Sequence, residues 1–246
     1  MEGNAGASRE RILGFLRAAR EKRGEAAPAG DLFPPLGRVW PPSGEPAPER
    51  RRRFAEALRK VGGEAVDPAG ALDARAALHE VADRLRAAEG DGGGKAPLAA
   101  MDRDPAWADL AIRGLPVAEI LGRAGFEVVE MPAADPGAAR SVLAGAALGV
   151  TVADRAIADT GTVVQLSRPF RPRAISLLPP VHLVLVPEDR IVGTLEDLLV
   201  AESAHFAGPT GYAAFMTGPS RTADIEKVLT IGVHGPGRLV ALVLSI

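Results

Sequence analysis

Apolar residues recur at helical spacing in three segments near the start of the chain, at residues 12–19, 49–61 and 71–88. In each segment positions i, i+3, i+4 and i+7 are apolar, which places them on one face of a helix. Each predicted helix has only one apolar stripe, so we expect all three to pack against a larger domain. Residues 24–48 separate the first two helices and contain seven prolines, which predicts an extended connector.

From Ala96 onward, short apolar runs alternate with segments of helical spacing. Helices are predicted near residues 116–124, 136–148 and 194–203 and after Thr222. The predicted strands are "PLAAM", "FEVVEM", "TVVQLS", "VHLVLV", "YAAFMT" and "RLVALVLSI". The alternation predicts a three-layer α/β/α fold with a mostly parallel sheet. We therefore expect a helical N-terminal extension over residues 1–95, packed on an α/β domain over residues 96–246.

The distribution of charge does not alter the predicted fold class. The chain has 29 Lys and Arg against 31 Asp and Glu, a formal net charge of −2. Residues 1–60 hold 13 basic against 8 acidic residues, whereas the rest holds 16 against 23, which suggests either solvated helix faces or a docking surface. The four arginines at 50–53 would spread around a helix, and no aromatic residues alternate with them. Nucleic acid is therefore not an expected partner.

The chain contains no cysteine, which excludes disulfides, zinc–thiolate sites and iron–sulfur ligation by its own side chains. The first residues lack the apolar core of a signal peptide. The longest uncharged run, residues 203–220, is interrupted by glycine and proline, so no transmembrane segment is predicted. These features together predict a cytoplasmic protein.

Nucleotide and metal sites are not indicated either. The glycines before Lys95 lack the first Gly and the final Ser or Thr of a P-loop, and no G-x-G-x-x-G opens a helix. No spacing of His, Asp and Glu requires a metal, although Asp224, Glu226 and a histidine offer suitable ligand types. We expect no cofactor bound by this chain.

Polar residues cluster in a turn before the strand "TVVQLS". Thr160, Gly161 and Thr162 follow Asp159 there. A glycine between two threonines allows a ligand to approach the backbone closely, and the turn amides could hold an anion. The alternative is an ordinary turn that enters a strand.

A second polar cluster occupies the start of the helix predicted after Thr222. Arg221, flanked by the hydroxyls of Ser220 and Thr222, would suit a carboxylate or phosphate at a helix N-terminus. Asp224 is an acid in the same first turn, where acids already satisfy the helix dipole. The segment is thus a site, a docking face or an unusually polar helix cap.

Two histidines lie near these clusters in the predicted fold. His182 sits one residue inside an apolar strand and is expected to be a core residue with a hydrogen-bond partner. His234 lies on a Gly/Pro turn, and an imidazole ordinarily titrates near pH 6.5, so His234 is the first candidate for acid/base work. We predict one site with His234, Arg221 and Asp159 as catalytic residues. The predicted substrate-binding residues are Thr160, Gly161, Thr162, His182, Ser220, Thr222 and Asp224.

Several of these segments together resemble the lactate-utilisation protein C family, whose defining unit is the LUD domain. The matching segments, in order, are "AIADTGTVV", "SLLPPVHLVLV", "IVGTLEDLL", "GPSRTADIE" and "GVHGPGRL". The resemblance covers roughly residues 96–246 and, more loosely, the helical front. It implies a fold similar to the NagB/RpiA/CoA-transferase group and a part in the bacterial oxidation of L-lactate to pyruvate, alongside iron–sulfur partner proteins.

Two functions follow from the residues and the resemblance. The first is a non-cluster subunit or accessory protein of a lactate-oxidising system, with the iron–sulfur clusters on its partners. The second is a stand-alone enzyme or binding protein for a small anionic metabolite, such as a sugar phosphate, an organic acid or an acyl thioester. The sequence leaves open whether the chain is catalytic by itself.

Overall fold

Six parallel strands form the central sheet of the computed structural model, which describes residues 44–68, 71–90, 95–131, 136–207, 212–223 and 229–245. The helix predicted at residues 12–19 lies outside these residues. The strands are β1 (Glu64–Val66), β2 (Leu98–Met101), β3 (Glu127–Glu130), β4 (Ala146–Val152), β5 (Arg155–Ile157), β6 (Thr162–Leu166), β7 (Val181–Pro187), β8 (Ile191–Val192), β9 (Ala213–Met216), β10 (Arg221–Ala223), β11 (Leu229–Ile231) and β12 (Arg238–Leu244).

Seven α-helices accompany these strands. They are α1 (Ala47–Lys60), α2 (Ala71–Ala88), α3 (Ala106–Ile112), α4 (Val117–Arg123), α5 (Pro136–Ala144), α6 (Leu195–Ala201) and α7 (Ser203–Phe206), within the described residues. Short 3₁₀ helices span Arg173–Ser176 and Glu188–Arg190. Pro48 is tolerated in the first turn of α1 because the amides of a first turn have no helical partner.

The strand order of the central sheet is β1-β12-β7-β4-β2-β3. From β2 the chain moves outward to β3, and from β4 it moves the opposite way through β7 to β12. The two directions diverge between β2 and β4. Such a switch point leaves a crevice outside the carboxyl ends of the two strands, where open α/β sheets bind ligands.

One face of the sheet is covered by helices. Leu78 and Leu85 of α2 and Ile120 of α4 pack on Val150 and Leu183 from the central strands, and all five side chains are buried. Most opposite side chains of β7 and β12 are apolar as well, so these two strands form nearly continuous apolar runs, as expected for parallel strands covered on both faces.

The other face of the sheet meets α1 and a second sheet. Phe54 and Leu58 of α1 pack there with Val163 of β6 against Val184 and Ala241. The second sheet has the order β8-β5-β6-β9 and is mostly antiparallel. Its outer surface is covered by α6, whose Leu198 is fully buried. The sequence did not predict this second sheet as a separate layer.

The predicted fold class is confirmed, with two corrections among the elements. The helix predicted over 136–148 ends at Ala144, because the following residues form the central strand β4. The helix predicted after Thr222 is wrong at its two ends, where Arg221–Ala223 and Leu229–Ile231 pair as an antiparallel hairpin. Residues 224–228, the middle of that prediction, lie outside the described residues. The β-branched residues Thr222, Thr230 and Ile231 favour the pleated form of the two strands.

The parallel sheet starts before the predicted domain boundary at Ala96. Strand β1 pairs with β12 through Glu64, Ala65 and Val66, which lie opposite Val240, Ala241 and Leu242.

None of the helices in the described part of the chain is long and apolar enough to cross a membrane.

Candidate functional site

Three threonine hydroxyls lie in a row beside the first predicted turn. The Oγ1 atom of Thr162 is 2.6 Å from that of Thr160 and 2.7 Å from that of Thr217, which follows β9. Thr162 is buried, whereas Thr160 and Thr217 are exposed. Three hydroxyls carry three protons, and the two contacts use two of them, so one donor remains for a ligand or solvent. We call Thr160, Thr162 and Thr217 the hydroxyl cluster.

Gly161 holds this turn against α1. Its φ is +63°, and a Cβ at this position would lie 2.2 Å from the backbone nitrogen of Leu58. The close approach that a glycine permits is therefore made here to a helix backbone. Asp159 supports the same contact, since its carboxylate lies 2.9 Å from the guanidinium of Arg53 on α1.

The second predicted cluster also reaches the end of α1. A Cβ on Gly218 would lie 2.8 Å from the carbonyl oxygen of Val61, and the guanidinium of Arg221 lies beside Gly62. Arg221 is exposed and, among the described residues, has no carboxylate within 4 Å. Since Arg221 belongs to a strand, any anion there would be held by side chains and not by the amides of a helix N-terminus.

The base of the hairpin is tied to the loop that contains His234. The amide of Ser220 donates to the carbonyl of Pro236, and the amide of Gly232 donates to the carbonyl of Ser220. His234 is exposed on this loop. Ser220 and Thr222 are half-buried, while Asp224 lies outside the described residues. The structure thus gathers the turn at 159–162 and the segment at 217–221 around the C-terminal end of α1.

His182 lies elsewhere, in the interior between the two sheets. Its Nε2 atom is 2.8 Å from the hydroxyl of Thr151, which also accepts a hydrogen bond from the amide of Gln165. Its Nδ1 atom has no partner among the described residues. Complete burial, with the charge of Arg171 nearby, lowers the pKa of His182 to about 3. The imidazole is therefore neutral at physiological pH, as the expected core histidine would be.

A buried charge network that the sequence analysis did not identify occupies the switch point. The guanidinium of Arg171 lies 2.6 Å from Asp102 and 2.7 Å from Asp104, and it also bonds to Asp154 and to the carbonyl of Val152. Burial raises the pKa of the Asp102 carboxyl, although Arg171 acts in the opposite direction. One guanidinium therefore joins the carboxyl ends of β2 and β4.

A sequence signal for this network exists. Asp102 and Asp104 come directly after the run "PLAAM", and Asp154 follows the end of β4. Acids that immediately follow buried parallel strands meet at the carboxyl edge of the sheet. The signal was missed because β4 was not predicted as a strand: its first three residues fell in the helix predicted over 136–148, and the rest was not assigned. Within the described residues, no group of three His, Cys, Asp or Glu side chains is arranged to hold a metal ion.

The family model and the curated proteins that match this chain agree with each other. The sequence model of the LUD domain matches residues 51–244. Lactate utilization protein C from Exiguobacterium sp. is 40% identical over 108 residues, which cover 42% of this chain and 46% of that protein. Lactate utilization protein C from Bacillus subtilis is 34% identical over 101 residues, which cover 40% and 42%. The chain thus matches less than half the length of these curated relatives.

A solved structure shares the fold. The crystal structure of a DUF162 family protein from Deinococcus radiodurans superposes with a TM-score of 0.50 at 20% identity, covering 82% of this chain and 99% of that chain. At this level of identity the likeness concerns the arrangement of strands and helices.

Proposed function

Because the chain belongs to the LUD domain family, we propose that it takes part in bacterial lactate utilisation as a component that binds no iron–sulfur cluster itself. The observation that carries the proposal is the family match over residues 51–244, with curated relatives named lactate utilization protein C. Oxidation of L-lactate releases two electrons, which an iron–sulfur partner would accept. The absence of cysteine from the sequence means that cluster thiolates would come from that partner.

Within this role, the residues around the end of α1 form the proposed anion site. Arg221 would neutralise a substrate carboxylate, since a guanidinium presents its N–H groups as a fork that matches two carboxylate oxygens. The hydroxyl cluster would orient the ligand with its remaining donor. His234, exposed on the adjoining loop, would exchange a proton with the substrate hydroxyl.

The remaining predicted residues have supporting roles in this proposal. Asp159 and Gly161 fix the turn on α1 through the ion pair with Arg53 and the contact with Leu58. Ser220 ties the hairpin to the loop of His234 through backbone hydrogen bonds. His182 is fully buried, so it would act through the packing of the central strands and not by contact with a ligand.

Growth on L-lactate tests the role. A host strain that lacks the gene should fail to grow on L-lactate as sole carbon source and should grow normally on glucose. The wild-type gene should restore growth, whereas Arg221→Gln should not, because the loss of a charge-assisted contact weakens ligand binding by about tenfold or more. Arg75→Gln is the control, since Arg75 lies on α2 and donates to the backbone carbonyl of Gly114, outside the proposed site.

Each outcome of this experiment addresses a separate part of the proposal. Normal growth of the deletion strain on L-lactate would contradict the role in lactate utilisation. Full rescue by Arg221→Gln would leave the role in place and contradict the site.

Co-purification tests the partnership. Tagged protein recovered from lactate-grown cells should bring down iron and acid-labile sulfide, and the eluate should reduce a dye when L-lactate is added. An iron-free eluate without activity would contradict the partnership and favour a stand-alone protein that binds a small anion.

A further inference from the structure

An open cleft of about 540 Å³ lies over the carboxyl ends of β2, β4 and β7, away from the hydroxyl cluster. Its volume falls in the range of small-molecule sites. Asp104 and Asp154 from the buried charge network line it, together with the half-buried ring of Phe170 and the side chain of Arg190. The cleft therefore occupies the switch point between β2 and β4, where α/β sheets bind their ligands.

Every carboxylate that lines the cleft is already paired with an arginine. Each lining acid therefore already has an arginine partner, although Arg171 is shared by Asp102, Asp104 and Asp154. The four ion pairs are Asp104–Arg171 at 2.7 Å, Asp154–Arg168 at 2.9 Å, Glu202–Arg155 at 2.7 Å and Asp109–Arg113 at 3.1 Å.

Arg190 is different from the other arginines of the cleft. It ends the 3₁₀ helix after β7, and its Nη1 atom donates to the carbonyl of Ala153 at 2.8 Å. No carboxylate among the described residues lies within 4 Å of its guanidinium. A guanidinium carries five N–H donors, so four remain after this hydrogen bond. This hydrogen bond fixes the side chain of Arg190 at the edge of the sheet. Its remaining N–H groups can donate to a ligand.

We infer that the cleft is a second anion site, which binds a small organic acid through one carboxylate on Arg190. The carboxylate would take two parallel hydrogen bonds from the guanidinium, and the apolar part of the ligand would lie on the ring of Phe170. With Arg190 included, the arginines and acids in and beside the cleft are equal in number, and the one guanidinium without a carboxylate partner matches one ligand carboxylate. A dianion would bring excess negative charge beside Asp104 and Asp154. The inference does not depend on a role in lactate utilisation.

Isothermal titration calorimetry on the full chain tests this site with four probes. L-lactate and acetate are the monoanionic carboxylates, and succinate and inorganic phosphate are the dianions. We expect the monocarboxylates to bind more tightly than both dianions at pH 7.5. Because Arg221 is proposed to hold a carboxylate as well, L-lactate should titrate two sites, and in Arg190→Gln the affinity of one of them should fall by about tenfold or more, the effect of losing a charge-assisted hydrogen-bond pair.

Three further variants show whether a loss of monocarboxylate affinity comes from the guanidinium of Arg190. Arg190→Lys keeps the charge without the fork and should lose a smaller part of the affinity, which also provides a measurement if Arg190→Gln does not fold. Arg75→Gln should bind as the wild type does. Arg221→Gln should remove the other site, the one proposed at the end of α1, so that each of the two variants removes a different one of the two sites.

Four results would overturn the inference. They are the absence of monocarboxylate binding to the wild type, unchanged binding in Arg190→Gln, tighter binding of succinate or phosphate than of L-lactate and acetate, and loss of all binding in Arg221→Gln alone. The last result would assign the bound anion to the site at the end of α1.

Discussion

His182 illustrates how one residue can serve the fold without being available to a substrate. Its side chain is fully buried between two sheets, and its contact with Thr151 links strand β7 to strand β4. Gln165 extends the same set of hydrogen bonds to strand β6 of the second sheet. An apolar side chain at position 182 would leave Thr151 with one fewer partner, so the imidazole helps to fix the relative position of the two sheets.

The depressed pKa of His182 predicts an acid-sensitive contribution to stability. Its pKa is about 3 in the folded chain, against an ordinary value of 6.5. As the pH falls below 6.5, the unfolded chain binds a proton that the folded chain does not, so stability declines. The loss between pH 7 and pH 5 should be about 2 kcal/mol. Urea unfolding of the wild type and of His182→Gln at both pH values measures it.

The comparison isolates the contribution of His182 because other titrating groups are common to both proteins. We expect His182→Gln to lose about 2 kcal/mol less than the wild type between the two pH values. His234→Gln, which removes an exposed imidazole, serves as the control and should follow the wild type. An identical pH dependence in the wild type and in His182→Gln would show that His182 does not titrate as proposed.

At the scale of elements, the C-terminal end of α1 supports both polar segments that the sequence singled out. Gly161 approaches the helix at Leu58 and Gly218 approaches it at Val61, so neither position has room for a side chain. The sequence identified Gly161 as a place where a ligand could approach the backbone, and in the structure a helix makes the close approach there. That helix belongs to the segment that the sequence assigned to an N-terminal extension.

Substitution of Gly161 measures this contact, and Gly90 is a matched control. Both glycines have a similar positive φ, +63° and +66°, but a Cβ on Gly90 would have nothing within 4 Å. Gly90→Ala should therefore cost about 1 kcal/mol, for the backbone conformation alone. Gly161→Ala adds a clash with the backbone of α1 and should cost at least about 2 kcal/mol more. If both variants lost the same free energy of unfolding in urea, α1 would have moved to admit the methyl group at no cost in stability.

Elements with an unambiguous pattern were predictable, and those that depend on tertiary contacts were not. The continuous apolar runs of β7 and β12 identified two central strands directly. Strand β4 was missed because its alanines suggest a helix and Gly149 interrupts its pattern. The structure explains that glycine, since a Cβ there would lie 2.2 Å from the carbonyl oxygen of Ile175 in the 3₁₀ helix that crosses the strand.

At the scale of the whole molecule, Arg171 holds together segments that are far apart in sequence. Asp102 and Asp104 follow β2, and Asp154 follows β4, yet all three carboxylates contact one buried guanidinium. Removal of the guanidinium would leave the buried carboxylates of Asp102 and Asp104 without an arginine partner, whereas Asp154 would keep Arg168. The stability of the switch point therefore depends on a single side chain.

We expect Arg171→Met to destabilise the protein by about 3–5 kcal/mol, as is typical when one partner of a buried ion pair is removed. Arg123→Met is the control, because Arg123 and Glu119 form an exposed pair on α4. Exposed pairs contribute about 0–1 kcal/mol, so the control should differ little from the wild type in urea unfolding. A loss of less than about 1 kcal/mol in Arg171→Met would contradict this account.

The sequence anticipated the candidate residues around α1 better than the charged residues of the switch point. The glycines and hydroxyls around α1 lie in two short segments of the sequence, so the residue types within each segment are enough to indicate their chemistry. The contacts of Arg171 and Arg190 depend on which strands are neighbours. Because β4 was not predicted as a strand, the order β7-β4-β2 was not available to place these side chains together.

The pairing of β1 with β12 has a consequence for how the protein is made. Strand β12 lies inside the sheet, between β1 and β7, although it is the last strand of the described chain. A ribosome that adds about 5–20 residues per second needs roughly 10–30 s to travel from Val66 to Arg238. Throughout that interval β1 has no partner strand, and once β7 has been made its edge stays open until β12 follows. The sheet closes only when β12 has been synthesised, so the nascent chain exposes unpaired strand edges of the kind that promote aggregation.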